Sequence, residues 1–159
     1  MSILERAIKR NSEMIHLSCT TLGNLLAGLS RETVTTLRDG PDGWTVLEVV
    51  CHLRDFEQIF YERLQTALVE EGPSFPLPDQ DAMAIERRYN EQDLKIVYAE
   101  LHTARARFIG AVGPLSQEQL ARSFIHPHRG PETIADIVLN ITRHDLLHLE
   151  QITRILNGS

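Results

Sequence analysis

Along four stretches of this chain the apolar residues recur at alternating steps of three and four, a period that fits packed helices and leaves no candidate strand. The cleanest repeat spans 91–112, where Leu94, Val97, Leu101, Ala104, Phe108 and Ala111 trace one stripe behind a predicted cap at Asn90. A first segment, 3–29, places Ile8, Ile15, Leu22 and Leu29 seven apart, with Leu4 and Leu25 at the other seam position. A second, 45–70, opens with Thr45 and Glu48 in capping-box spacing and runs Val46, Val49, Leu53, Phe56, Phe60. The last, 133–157, has Thr133 and Asp136 at the same spacing and Gly158 as its stop. An all-α fold, a four-helix bundle in one domain spanning 1–159, is the expectation.

The joints are equally specific. EEGPSFPLPDQDAMAIERRY, between the second and third helices, carries one glycine and three prolines, which argues against regular structure and for a long crossover. Ser116 and Gln119 form another capping pair, predicting a short extra helix before the HPHRGP loop. With 159 residues and 42% apolar content the chain can bury a core, so Cys19 and Cys51 read as reduced and buried rather than as a disulfide. No segment reaches bilayer-spanning length, and charges interrupt MSILERAIKR where a signal peptide needs an apolar run; the expected location is cytoplasmic, away from any membrane. A formal charge of −6 without a basic run argues against a nucleic-acid partner and leaves a small-molecule substrate open.

The chemistry concentrates in histidines. Counted along the last helix, the seam reads Ile134, Ile137, Ile141, His144, His148, Gln151, Ile155, so two histidines four apart occupy core positions. Such a pair lies about 40° apart around the axis and about 6 Å along it, so both rings can converge on one point. His52, three residues after Val49 and four before Phe56, points inward from the second helix. Three imidazoles buried without partners would each cost roughly 1–3 kcal/mol, a penalty that one shared divalent transition-metal ion removes. Nitrogen donors suit zinc, nickel, copper or iron, and three protein ligands leave a position open for water or substrate. A metal-free histidine network is the competing account.

Other residues compete with this trio. His126 and His128 flank Pro127 in an irregular loop that specifies no ligand geometry, and His16 and His102 read as ordinary helix residues. Asp55, Asp145 and Glu150 could orient a ligand imidazole but read first as solvated charges, while Glu48 or Asp55 within reach of the open position would favour hydrolysis. Cys51 is rotated about 100° from His52 and reads as packing, and Trp44 as a hydrophobic staple.

The stretches GWTVLEVVCHLRDFE and GPETIADIVLNITRHDLLHLEQI together resemble the DinB-like, or YfiT-like, family of metal-binding helical bundles across nearly the whole chain. The resemblance implies an up-down-down-up four-helix bundle, frequent homodimers, and one nickel, zinc or iron ion on His52, His144 and His148. It also implies a transferase or isomerase that uses a low-molecular-weight thiol such as bacillithiol, mycothiol or glutathione, or a metal-dependent hydrolase. Neutral ligands and the lack of a compelling general base beside the motif favour the thiol-dependent branch. The reading from a different class is a non-enzymatic bundle in which metal, or none, holds the helices and a dimer carries the function.

Overall fold

Four long helices form where the period predicts them. The computed structural model describes residues 1–158, in which α1 (Ile3–Leu26), α3 (Val46–Val69), α5 (Leu94–Val112) and α7 (Ile134–Asn157) are the bundle. Shorter elements fill the joints: α2 (Arg31–Thr36), α4 (Gln80–Glu86), a 3-10 turn (Tyr89–Glu91), α6 (Gln117–Leu120), and strands β1 (Ser123–His126) and β2 (Gly130–Thr133). The capping boxes at Thr45/Glu48, Ser116/Gln119 and Thr133/Asp136 form as read, and Gly158 closes α7 at φ +68°. Each such cap contributes about 1 kcal/mol by satisfying amides the helix leaves open.

The course of the chain follows from which residues meet. Ser18 of α1 reaches Asp145 of α7, while Tyr98 of α5 donates to the carbonyl of Cys19. Ile8 clusters with Val112, so α1 and α5 run oppositely, whereas Ile15 with Ile141 and Leu22 with Ile152 make α1 and α7 parallel. Arg54–Glu100 and Gln58–Arg107 align α3 with α5, and the approach of His52 to His144 sets α3 against α7. The order is therefore up, down, down, up. Two parallel neighbours cannot be joined by a hairpin, which is why twenty-odd residues cross from the end of α3 to the start of α5.

Several expectations need correction. The third helix begins at Leu94 and not at 91, because Asp93 accepts from the amides of Lys95 and Ile96. Asn90 instead joins joints together: its Oδ1 receives the Thr45 hydroxyl at 2.7 Å and its Nδ2 donates to the Thr35 carbonyl. The crossover is not wholly irregular, since all three prolines precede Asp79, which caps α4. A hairpin replaces the strandless reading: Ser123 pairs with Thr133 and His126 with Gly130, and Ile125 donates to the Pro73 carbonyl at 2.8 Å. The first helix stops at Leu26, so Leu29 packs from outside it.

The core lies in two apolar clusters at opposite ends of the bundle. One gathers Cys19, Leu22, Val46, Val50, Leu101 and Ile152; the other gathers Ile15, Phe60, Leu64, Phe108, Phe124 and Ile137. A charged layer joins them. Arg105, 3% exposed, lies at a seam position of α5 where the heptad reading placed Ala104. Its Nη1 and Nη2 donate to the two carboxylate oxygens of Asp145 at 2.5 and 3.0 Å, and its Nε lies 3.1 Å from Glu57. Ser18 donates its hydroxyl to the same Asp145. Asp145 thus belongs to the core and not to the solvated surface.

Candidate metal centre

His52 sits in the second turn of α3, a helix buried on almost every side through its first half, and is itself 1% exposed. His144 and His148 project from the edge of the buried stripe of α7, half-buried; the stripe itself continues through Ile141, Asp145 and Ile152. Because α3 and α7 are antiparallel neighbours, the three rings meet in one place. The Nε2 atom of His144 lies 2.9 Å from that of His52 and 3.2 Å from that of His148. Taken as a group, one donor atom from each ring lies within 4.8 Å of the others.

These separations can be tested against a shared ion. Two nitrogens each about 2.0–2.1 Å from one centre must lie within roughly 3.4 Å of each other in a tetrahedral arrangement, and closer in an octahedral one. Both close distances fall in that range. Proton bookkeeping points the same way. Gln151 Nε2 donates to Asp39 at 3.0 Å, which turns its Oε1 toward His148 Nδ1 at 2.8 Å. Nδ1 must therefore carry the proton, and His148 Nε2 presents its lone pair to the other two rings. Asp39 is fixed in turn by Arg154 at 2.5 Å and by its own amide on the Trp44 carbonyl. Gly43 permits that turn, since a Cβ there would fall 1.8 Å from the Asp39 carbonyl.

All three rings are held neutral. Burial lowers His52 to about 3 and His144 to about 2, with the neighbouring rings adding to both, and burial lowers His148 against the opposing bond from Gln151. Neutral imidazole is the state that binds metal. His52 Nδ1 is buried without a partner among the described residues, so an ion on Nε2 would be its ring's one strong polar interaction. The residues fit a divalent transition ion.

Aromatic rings wall the site. Trp44 lies 4.9 Å from His52, Phe56 stacks at 5.4 Å on His144, and Phe60 meets His144 edge-on at 5.7 Å. Among the described residues no carboxylate joins the cluster of donor atoms. Glu48 is occupied in its capping box, and Asp55 is buried between Arg54, Arg87 and the Tyr89 hydroxyl, which together hold its carboxyl low against the effect of burial. Asp55 is therefore a tether for the crossover and not a solvated charge; Glu150 is exposed, as read. His126 and His128 stay apart from the trio: His126 Nδ1 accepts the amides of His128 and Arg129 at 3.2 and 3.3 Å, and His128 is exposed. Cys51 faces the Tyr89 carbonyl, and both cysteines are free and buried. His16 and His102 are exposed. The orienting pair Gln151 and Asp39 escaped the sequence reading; the i, i+3 spacing of His148 and Gln151 was the available signal.

A helical bundle with three histidines converging from two antiparallel helices defines the class. The chain belongs to the DinB superfamily, whose sequence model matches residues 18–152. A protein of Oceanobacillus iheyensis, provisionally named a metal-dependent hydrolase, is 30% identical over 142 residues, covering 87% of this chain and 79% of its own. YfiT of Bacillus subtilis, named in the same way, is 28% identical over 129 residues, covering 79% and 71%. In structure, YfiT superposes with a TM-score of 0.89 at 24% identity over 99% of this chain and 89% of that one. A mycothiol-dependent maleylpyruvate isomerase shares the fold at TM-score 0.75 and 12% identity, over 96% of this chain and 63% of the isomerase. No helix among the described residues is long and apolar enough to cross a membrane.

Proposed function

We propose that this chain is a metal-dependent enzyme in which His52, His144 and His148 hold one divalent ion, and that it transfers or isomerises a small molecule with the help of a low-molecular-weight thiol. The observation that carries the reading is the convergence of three neutral Nε2 donors, at 2.9 and 3.2 Å, with no carboxylate among them. An ion on neutral ligands keeps its full charge and lowers the pKa of a thiol or water bound to it. The protein's own part is to hold the rings unprotonated by burial, to fix His148 through Gln151 and Asp39, and to exclude water with Trp44, Phe56 and Phe60. A thiolate needs no further base, and the nearest acids, Glu48 and Asp55, are engaged elsewhere. Zinc, nickel and iron all suit the donors, and a homodimer in the cytoplasm belongs to the same reading.

Hydrolysis by activated water is the second reading, favoured by the names of the bacterial relatives. Metal content by plasma mass spectrometry of untagged protein, beside His52→Ala and His148→Ala, tests the site: about one ion per chain is expected in the wild type and none in either variant. Metal retained in both variants sinks the assignment. Incubating the loaded protein with an electrophile plus a thiol, and separately with activated esters, then divides the readings. Thiol-dependent turnover supports the first, and thiol-independent ester cleavage replaces it with the second.

A further inference from the structure

Arg63 is a buried charge that the metal site does not use. It is 8% exposed, yet its contacts are a bond from Nη2 to the Pro76 carbonyl at 3.2 Å and the face of Phe75 at 5.6 Å. No carboxylate lies within ion-pair distance of it among the described residues, and the nitrogens that Pro76 does not bind are open to solvent, so an anion can reach them. The nearby Arg129 is itself neutralised by Glu132, which also receives Asn140. Burial and the like charge of Arg129 lower Arg63's own pKa, and Glu132, which also acts on His126, opposes them.

Within electrostatic reach of it is His126, 5% exposed. Two backbone amides occupy its Nδ1, so its proton is on Nε2, a donor with no partner among the described residues. Phe124 and His126 share the inner side of β1; Phe124 packs on Phe75 at 5.5 Å, the ring that Arg63 covers. The eleven residues from His52 to Arg63 make three turns of α3, returning to within about 20° of the same face some 16 Å along the axis. Phe56 and Phe60, in ring contact at 6.1 Å, come from the turns of α3 between His52 and Arg63.

The geometry points to an anion subsite, formed by Arg63 and His126, that receives the carboxylate of an organic acid whose apolar body lies along Phe56 and Phe60 toward the three histidines. This rests on the reading of the histidines as the reactive end, but the subsite binds through its own residues. Arg63 supplies a planar fork that matches a carboxylate, His126 Nε2–H supplies a further donor, and the two rings supply the chain-length preference.

The test is a titration of the full chain, metal-loaded and as the metal-free His144→Ala variant, with sodium hexanoate, acetate and inorganic phosphate. It is followed by the NMR signals of the arginine Nε–H and histidine Nε2–H groups. Hexanoate should move the Arg63 and His126 signals in both forms and bind tighter than acetate, by up to about fourfold per added methylene. Arg63→Met should weaken hexanoate about tenfold or more with metal content unchanged, and Arg63→Lys should weaken it less. If Arg63→Met fails to fold, the wild-type signals and Arg63→Lys carry the test. Hexanoate binding that survives in Arg63→Met, that needs the metal, or that is no tighter than acetate or phosphate overturns the subsite. Failure of the metal assignment shows separately, as missing metal in the wild type.

Discussion

Replacing Asp145 by alanine should destabilise this protein severely. Arg105 is 3% exposed, and its two aligned hydrogen bonds, at 2.5 and 3.0 Å, both go to Asp145. Glu57 stands 3.1 Å from Nε without an aligned bond, leaving Arg105 Nε and Glu57 Oε1 unsatisfied. Removing Asp145 therefore leaves the guanidinium without an aligned acceptor and with Glu57 alone beside it, and breaking a buried pair in this way costs about 3–5 kcal/mol. For a chain of 159 residues each kcal/mol shifts Tm by about 2–4 °C, so a fall of about 6–20 °C is expected. Urea unfolding followed by circular dichroism should be run on chelator-stripped protein, so that a change at the adjacent His144 adds no metal-linked term. Glu57→Gln is the control, with an expected cost of no more than about 1.5 kcal/mol. A cost below about 1 kcal/mol for Asp145→Ala, or equal costs for the two variants, would refute the idea that Asp145 is what makes the buried arginine tolerable.

Three further outcomes follow from the same structure. Burial pushes Glu57 from 4.5 up to about 7, so between those pH values the folded chain keeps a proton that the unfolded chain has released. This contribution is complete below pH 4.5 and is lost as pH rises through 7; the stability of wild type minus that of Glu57→Gln should fall across that window and then level, and a pH-independent difference in urea titrations contradicts it. Gln151→Leu should weaken metal affinity about 10–100-fold in competition with a chromophoric chelator, because His148 loses the acceptor that holds its proton on Nδ1; unchanged affinity would show that the ring needs no such support. Gly23→Ala should cost about 1–3 kcal/mol, since the added Cβ would fall 2.3 Å from the Tyr98 hydroxyl and displace its bond to Cys19; an unchanged Tm would mean that Tyr98 swings aside freely.

Helix ends and the histidine pair of α7 were readable because both depend on short-range spacing, while His52 was placed inward only by the period of its own helix. Thr133 with Asp136, or His144 with His148, sit a turn apart on one helix, and any helical chain brings them together. What escaped depends on partners far away in sequence. Arg105 breaks the stripe of α5, but its partners Glu57 and Asp145 come from two other helices, 48 and 40 residues away, so the alanine beside it looked like the better seam residue. The hairpin of β1 and β2 is four residues a side and interrupted by proline; it is anchored by Pro73 and Phe75 from the crossover, a pairing that no local pattern announces. Asn90 and Asp93 are both good caps, and only the tie from Thr45 to Asn90 decides between them.

The sole tryptophan of the chain gives the site an optical handle. Trp44 lies 4.9 Å from His52 and donates its indole proton to Asp81 on α4 at 3.1 Å. Its emission therefore comes from a single known place, within contact of a candidate ligand ring on one side and of the crossover on the other. Adding an ion to chelator-stripped protein can be followed in a cuvette without a label, and detachment of α4 from the bundle can be followed through the same signal.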